Sequence, residues 1–197
     1  MSISGCNKIE EAALAAKPGR NVAQKPASKA AGEPVVSSAH LAAGRSPGLS
    51  AVEFGLNLAT MAYQRWMVRC MAAAGLPGLS PLEVLILHTV RHRNRPKQIA
   101  DIMLVLDIEE THLVTYALRK LAAAGLIEVE RAGKEKRVSA SAAGIALCAR
   151  YGEIRERLLV EAAAATGPGE ASLDEVATVL RALSGIYNQA ARAAATF

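Results

Sequence analysis

Apolar residues recur along three stretches of the chain with the period of a helix that rests on a neighbour. Val52, Leu56, Ala59, Tyr63, Trp66 and Cys70 step by four, three, four, three and four, the alternation of a seam between paired helices. Leu173, Val176, Leu180, Leu183, Tyr187 and Ala190 repeat it near the other end, and Leu147, Tyr151, Ile154 and Leu158 do so just before. Long seamed helices are thus predicted at both ends of a folded region. The first runs from about Ala51 to Ala74, about 36 Å, and stops at Gly75 with Pro77 and Gly78 beyond. Four helix starts carry Ser or Asp followed three residues later by Glu, so that side chain and backbone satisfy each other's open donors. They are Ser50/Glu53, Ser80/Glu83, Asp107/Glu110 and Ser172/Glu175. Pro81 follows Ser80 at the first helical position, where a missing N–H costs nothing.

Between the seamed helices lies a unit of different character. A helix from Pro81 to about His92 precedes a second, opened by Pro96, with Ile99, Ile102, Met103 and Leu106 inward. A third spans Ile108 to Ala124 and ends at Gly125. Leu126 to Glu130 and Lys136 to Ser139 then read as short strands around a turn containing Gly133. Three helices followed by a hairpin is the order of a winged helix-turn-helix. The predicted fold is mainly α, with a two-stranded wing, flanked by long N- and C-terminal helices.

The third helix has two faces. Val114, Ala117, Leu118 and Leu121 recur at i, i+3, i+4 and i+7 and face the core, while His112, Thr115, Tyr116 and Arg119 share the neighbouring face. A protruding helix of about 10 to 12 Å fits a major groove about 12 Å wide. Arg119 suits guanine, Thr111 and Thr115 suit bases or phosphates, and His112 and Tyr116 suit either. Glu109 and Glu110 read as residues that complement the helix N-terminus.

Charge strengthens this picture. The chain of 197 residues carries +5 net, and its positive charge bunches at Arg91, Arg93, Arg95 and Lys97 and again at Arg131, Lys134, Lys136 and Arg137. Both runs suit phosphate contacts. Residues 1–49, rich in Ala, Pro, Gly, Ser and Lys, bury too little to fold and are expected to be a disordered tail, with residues 35–41 a possible strap. Three widely spaced cysteines, Cys6, Cys70 and Cys148, suggest neither a disulfide framework nor a zinc ribbon. Cys70 and Cys148 fall on apolar helical faces. No apolar run reaches the roughly 18 residues of a membrane span, and the start has no secretory pattern, so a cytoplasmic protein is expected. No catalytic constellation, cofactor loop or metal motif is apparent. His88 and His92 stand four apart, a spacing that can hold a metal, but without an identifiable third ligand.

From Leu79 to Gly144 the run LeuSerProLeuGluValLeuIleLeu, then GlnIleAlaAspIleMet, then ThrHisLeuValThrTyrAlaLeuArgLysLeuAlaAlaAlaGlyLeuIle, then ValSerAlaSerAlaAlaGly resembles the MarR family of bacterial winged-helix regulators. The flanking helices match its dimerisation arrangement. More loosely, the tail and the TyrGlnArgTrpMetValArgCysMet segment are similar to a sub-branch that includes repressors of nicotinate catabolism. Two departures stand out. The wing carries ArgAlaGlyLysGluLysArg where the family places an Asp-Arg-Arg motif, so Lys134, Lys136 or Arg137 must stand in for its arginine, and Tyr116 replaces an arginine common in the family. The resemblance implies a MarR-like domain over residues 50–197, a DNA-binding lobe at 79–144, and dimerisation helices at 50–75 and 145–195. It also implies a homodimeric repressor on a pseudo-palindromic operator of double-stranded DNA, released by a small aromatic acid. Tyr63, Trp66, Arg69 and His88 would line the acid's pocket with a donor, a stacking surface and a cation. Two other readings stand beside it: a winged-helix adaptor that binds protein without an operator, and a metal-responsive regulator using His88 and His92.

Overall fold

A computed structural model describes Val36 and residues 39–132 and 135–197. Most of the expected tail, Cys6, and the hairpin residues Gly133 and Lys134 lie outside the described residues. The chain divides into two compact units at Phe54/Gly55. The first holds a single-turn helix, α1 (Ala39–Ala42), and the opening turns of α2 (Pro47–Ala73). Ser50, expected to start α2, instead lies inside it, buried, with its hydroxyl donating to the Leu41 carbonyl at 3.0 Å. Pro47 opens the helix a turn earlier because its fixed φ is already helical.

The second unit carries the remainder of α2 and then α3 (Pro81–Arg91), a 3₁₀ turn at His92–Asn94, strand β1 (Lys97–Gln98), α4 (Ile99–Leu106) and α5 (Thr111–Ala123). Strands β2 (Ile127–Ala132) and β3 (Glu135–Ala140) come next, then α6 (Ala142–Arg155), α7 (Glu161–Thr166) and α8 (Glu170–Ala194). The sheet is antiparallel in the order β1-β3-β2. The expected two-stranded wing thus gains a short third strand from the segment before α4.

Helix α3 is the hub: it packs on α4, α5, α6 and β3. Its Val84, Ile86, Leu87 and Val90 meet Ile102 of α4, Val114, Ala117, Leu118 and Leu121 of α5, Val138 of β3, and Met67, Cys70 and Met71 of α2 in one core. The start at Ser80 forms as the sequence predicts, with the Ser80 hydroxyl accepting from the Glu83 N–H and the Glu83 carboxylate accepting from the Ser80 N–H at 2.7 Å.

Two other predicted starts move. Helix α4 ends with Asp107 in the left-handed region at φ 54°, a conformation Asp tolerates better than most side chains. Its carboxylate accepts from the Asn188 amide of α8 at 2.7 Å and is not free to cap α5, which begins only at Thr111. Helix α8 begins at Glu170, not after Ser172, because Gly169 serves as its N-cap as soon as the chain clears Pro168. The seam of α6 also breaks. A π turn at Glu156–Val160 rotates the downstream helix by about 100°, so Leu147 and Tyr151 are buried but Leu158 is exposed.

Beneath α3, the His88 ring meets Tyr151 edge-on at 4.6 Å between centroids. The Tyr151 phenol accepts from the Trp66 indole, its carbonyl accepts from the Cys70 thiol at 3.6 Å, and its pKa is pushed up to about 12, chiefly by burial. The His88 Nε2 is buried with no hydrogen-bond partner among the described residues, and desolvation lowers the imidazole's pKa.

A methyl at Gly144 would lie 2.1 Å from the Leu126 carbonyl oxygen and 3.1 Å from its carbon, so Gly144→Ala should cost about 3 kcal/mol in urea unfolding. A change below about 0.5 kcal/mol would contradict this close approach of α6 to the wing. Because the folded-state pKa of His88 lies below its unfolded value near 6.5, the unfolded chain takes up the proton first. The stability His88 contributes is complete above that pH and falls as pH drops below it, by at most about 1.4 kcal/mol per pH unit. Thermal unfolding of wild type and His88→Phe should therefore diverge between about pH 7.5 and pH 5, with only wild type showing this component; parallel profiles would refute it.

Candidate nucleic-acid interface

Helix α5 is fixed in rotation by its buried face. Val114, Ala117, Leu118 and Leu121 are all inside the core. A second restraint comes from Lys120, whose ammonium donates to the buried Glu83 carboxylate at 2.9 Å and to the Gly78 carbonyl at 2.8 Å. The same carboxylate caps α3, so one buried group ties α5 to the start of α3. Sequence reasoning missed this pair; the shared core face of the two helices, with Lys120 next to Leu121, is the only signal for it.

With that side fixed, the other must face solvent. Thr111, His112, Tyr116 and Arg119 are exposed, Tyr116 at 68%, and Thr115 is half-buried. Glu109 and Glu110 are exposed as well, and Glu110 stands at the N-cap position without a side-chain cap bond.

The wing distributes its cations by strand alternation. On β3, Val138 turns into the core, Lys136 lies on its side of the strand, and Arg137 lies on the other. Lys136 therefore joins Arg119 and Thr115 along a crevice of about 120 Å³ between α5 and the sheet. Arg137, paired across the sheet with Gln98 of β1 and Glu130 of β2, lines a separate cleft of about 620 Å³ with Arg93, Arg95 and Lys97. Arg131 is exposed on β2 opposite Lys136.

The turn that brings up Arg93 and Arg95 is unusual. Arg93 and the following Asn94 both have positive φ, 58° and 46°, and Arg91 is half-buried at the end of α3. Lys97 points back into this turn, its ammonium donating to the carbonyls of Val90 at 3.0 Å, Arg95 at 3.2 Å and His92. Burial, with Arg95 and Arg93 nearby, lowers its pKa.

The candidate effector residues lie elsewhere. His88 and Trp66 are half-buried around Tyr151, whereas Tyr63 and Arg69 are exposed on α2. Tyr151 completes this aromatic cluster, though the sequence marked it only as a seam residue. His92 sits exposed on the 3₁₀ turn while His88 turns toward Tyr151, and among the described residues no three His, Cys, Asp or Glu side chains gather to hold a metal ion. Cys70 is buried, Cys148 half-buried, and burial pushes both thiols above their ordinary pKa. Among the described residues, no helix is long and apolar enough to cross a membrane.

Comparison with known proteins supports this geometry. Residues 79–144 match the family model described as a winged helix DNA-binding domain. No curated protein matches the sequence. Solved structures do. A MarR family regulator from Neisseria meningitidis, NMB1585, is 17% identical, with 72% of this chain and 94% of that one covered at a TM-score of 0.57. A mutant of MarR from E. coli complexed with operator DNA is 14% identical, covering 73% and 98% at 0.55. CouR from Rhodococcus jostii RHA1, bound to p-coumaroyl-CoA, is 12% identical, covering 67% and 90% at 0.53. Identities this low speak to the fold. The fold is therefore one shared with solved MarR family regulators, and residues 79–144, which carry the exposed face of α5 and the basic wing, match a winged helix DNA-binding domain.

Proposed function

We propose that this protein is a cytoplasmic, homodimeric transcriptional repressor that binds a pseudo-palindromic operator and is released by a small aromatic acid. The observation that carries the DNA-binding part is the outward face of α5, with Arg119 and Tyr116 exposed and cations on both sides of it. In this reading Thr111, His112, Thr115, Tyr116 and Arg119 enter the major groove. The exposed cations Arg93, Arg95, Arg131, Lys136 and Arg137, with Arg91 and Lys134, meet phosphates.

A second copy of the chain is favoured by the apolar residues left at the surface. Leu173, Val176, Val179, Leu180 and Ile186 on α8, and Leu58, Met61 and Tyr63 on α2, are all exposed. Long helices with such stripes lower their free energy by pairing. Two-fold pairing would set two α5 helices about one turn of DNA apart. The E. coli MarR relative is complexed with operator DNA, which supports the same docking here.

For the effector, the orphaned His88 Nε2 beside Trp66 and Tyr151 supplies the polar group that an acid could satisfy, with Tyr63 and Arg69 toward the rim. CouR, of the same fold, is bound to p-coumaroyl-CoA. An acid that prefers one spacing of the two α5 helices would shift the dimer away from its operator.

Selection of bound duplexes from random DNA tests the reading: a symmetric consensus is expected, and absence of any enriched sequence would refute it. On that consensus Arg119→Ala should cost about 1 to 3 kcal/mol and relax preference at one base step. Lys136→Ala should weaken all sequences alike and flatten the salt dependence by about one unit. Equal losses on consensus and random DNA for Arg119→Ala would remove its base-reading role.

A further inference from the structure

A cleft of about 620 Å³ is lined by Arg93, Arg95, Lys97 and Arg137, yet the ammonium of the lysine among them is bonded back to the carbonyls of Val90, His92 and Arg95. We infer that Lys97 is a positioning residue: its ammonium clamps the turn after α3 and so sets Arg93 and Arg95 beside Arg137, without itself meeting phosphate. This role rests on the proposed binding of DNA.

The stoichiometry is the first support. An ammonium has three N–H donors and no acceptor, and here three carbonyls, of Val90, His92 and Arg95, take them. The Val90 carbonyl belongs to the last turn of α3, where carbonyls lack helical partners and the dipole is negative, the place a cation stabilises best. A phosphate contact would require Lys97 to abandon these bonds.

Conformation is the second. Arg93 and Asn94 are both held at positive φ, a conformation that Asn tolerates but that for Arg is strained and persists only where the surroundings enforce it. The carbonyls that Lys97 gathers lie before and after this pair, so the ammonium closes the loop across it.

Connectivity is the third. Lys97 and Gln98 form β1, which pairs with Val138 and Arg137 of β3. The residue that fixes the arginine turn is therefore also hydrogen-bonded into the wing. Arg93 and Arg95 reach the same cleft as Arg137 because one dipeptide holds both sides.

The test uses the full-length protein. In the wild type without DNA, the Lys97 ammonium protons should exchange slowly enough to give a resolved ¹H–¹⁵N signal near pH 6, and that signal should stay in place when the selected duplex is added. Lys97→Met keeps the stem without donors, and Lys97→Arg keeps the charge but cannot converge one nitrogen on three carbonyls. Both should speed amide exchange over residues 91–98. Both should also weaken duplex binding tenfold or more and flatten the salt dependence by about two units, as two arginine contacts are lost. A drop of about one unit in Lys97→Met that Lys97→Arg restores, or an ammonium signal that moves on DNA addition, would make Lys97 an ordinary phosphate contact and overturn the inference. So would unchanged exchange and binding in both variants, or no protected ammonium in the wild type. If a variant is too unstable to bind, the wild-type ammonium measurement still decides. If the wild type ignores DNA while its ammonium is protected, the functional reading fails and the clamp stands.

Discussion

The interface depends on one constraint: the rotation of α5 about its own axis. Four buried apolar residues set that rotation, and the Lys120–Glu83 pair holds its last turn to the start of α3. The pair is asymmetric, for the Lys120 side chain is 43% exposed and that of Glu83 only 4%. Glu83 is thus the costly partner to leave alone, and the oxygen that meets Lys120, Oε2, also accepts from the Ser80 N–H. With that face committed, the backbone has no freedom over which side chains reach outward. Arg119 is exposed because Leu118 and Leu121 are not.

The second level of organisation is the division of positive charge by a period of two. Had β3 been paired one residue out of register, Lys136 and Arg137 would exchange sides, and Val138 would leave the core. The buried Val138 therefore fixes which cation accompanies α5 and which accompanies the arginine turn. Sheet register, a packing property, becomes a property of the charge distribution. The third strand matters for the same reason, since β1 ties the segment after α3 to the edge of β3.

Much of this was legible in the sequence. The order of helices and hairpin, the two faces of α5 and the capping box at Ser80 all arise from local periodicity and cap chemistry, and the structure has them. Local pattern did not give the features that depend on contacts across the fold. Asp107 reads as a helix start, but termination of α4 and a bond from Asn188, 81 residues away, commit it otherwise. Gly144 looks like an ordinary helical glycine until the Leu126 carbonyl is brought against it. Lys97 looks like one more cation in a basic run, because nothing in its neighbours' identity announces a turn that folds back on it. The π turn in the segment after α6 carries no proline or glycine of its own to mark it.

The apolar stripes of α2 and α8 lie outside residues 79–144 in sequence, and the cluster around His88 draws Trp66 and Tyr151 from outside them, yet α2 and α6 contribute to the core that supports α5. That shared core is how pairing of two copies, or occupancy of the cluster, would be felt at α5. The central claim remains the outward face of that helix. A ¹⁵N NMR titration with a duplex carrying the selected site tests it most directly. The account predicts the largest shifts at Thr111, His112, Thr115, Tyr116 and Arg119, with Val114 and Leu121 little changed. Shifts confined to α8 or to the exposed part of α2, with α5 undisturbed, would contradict it.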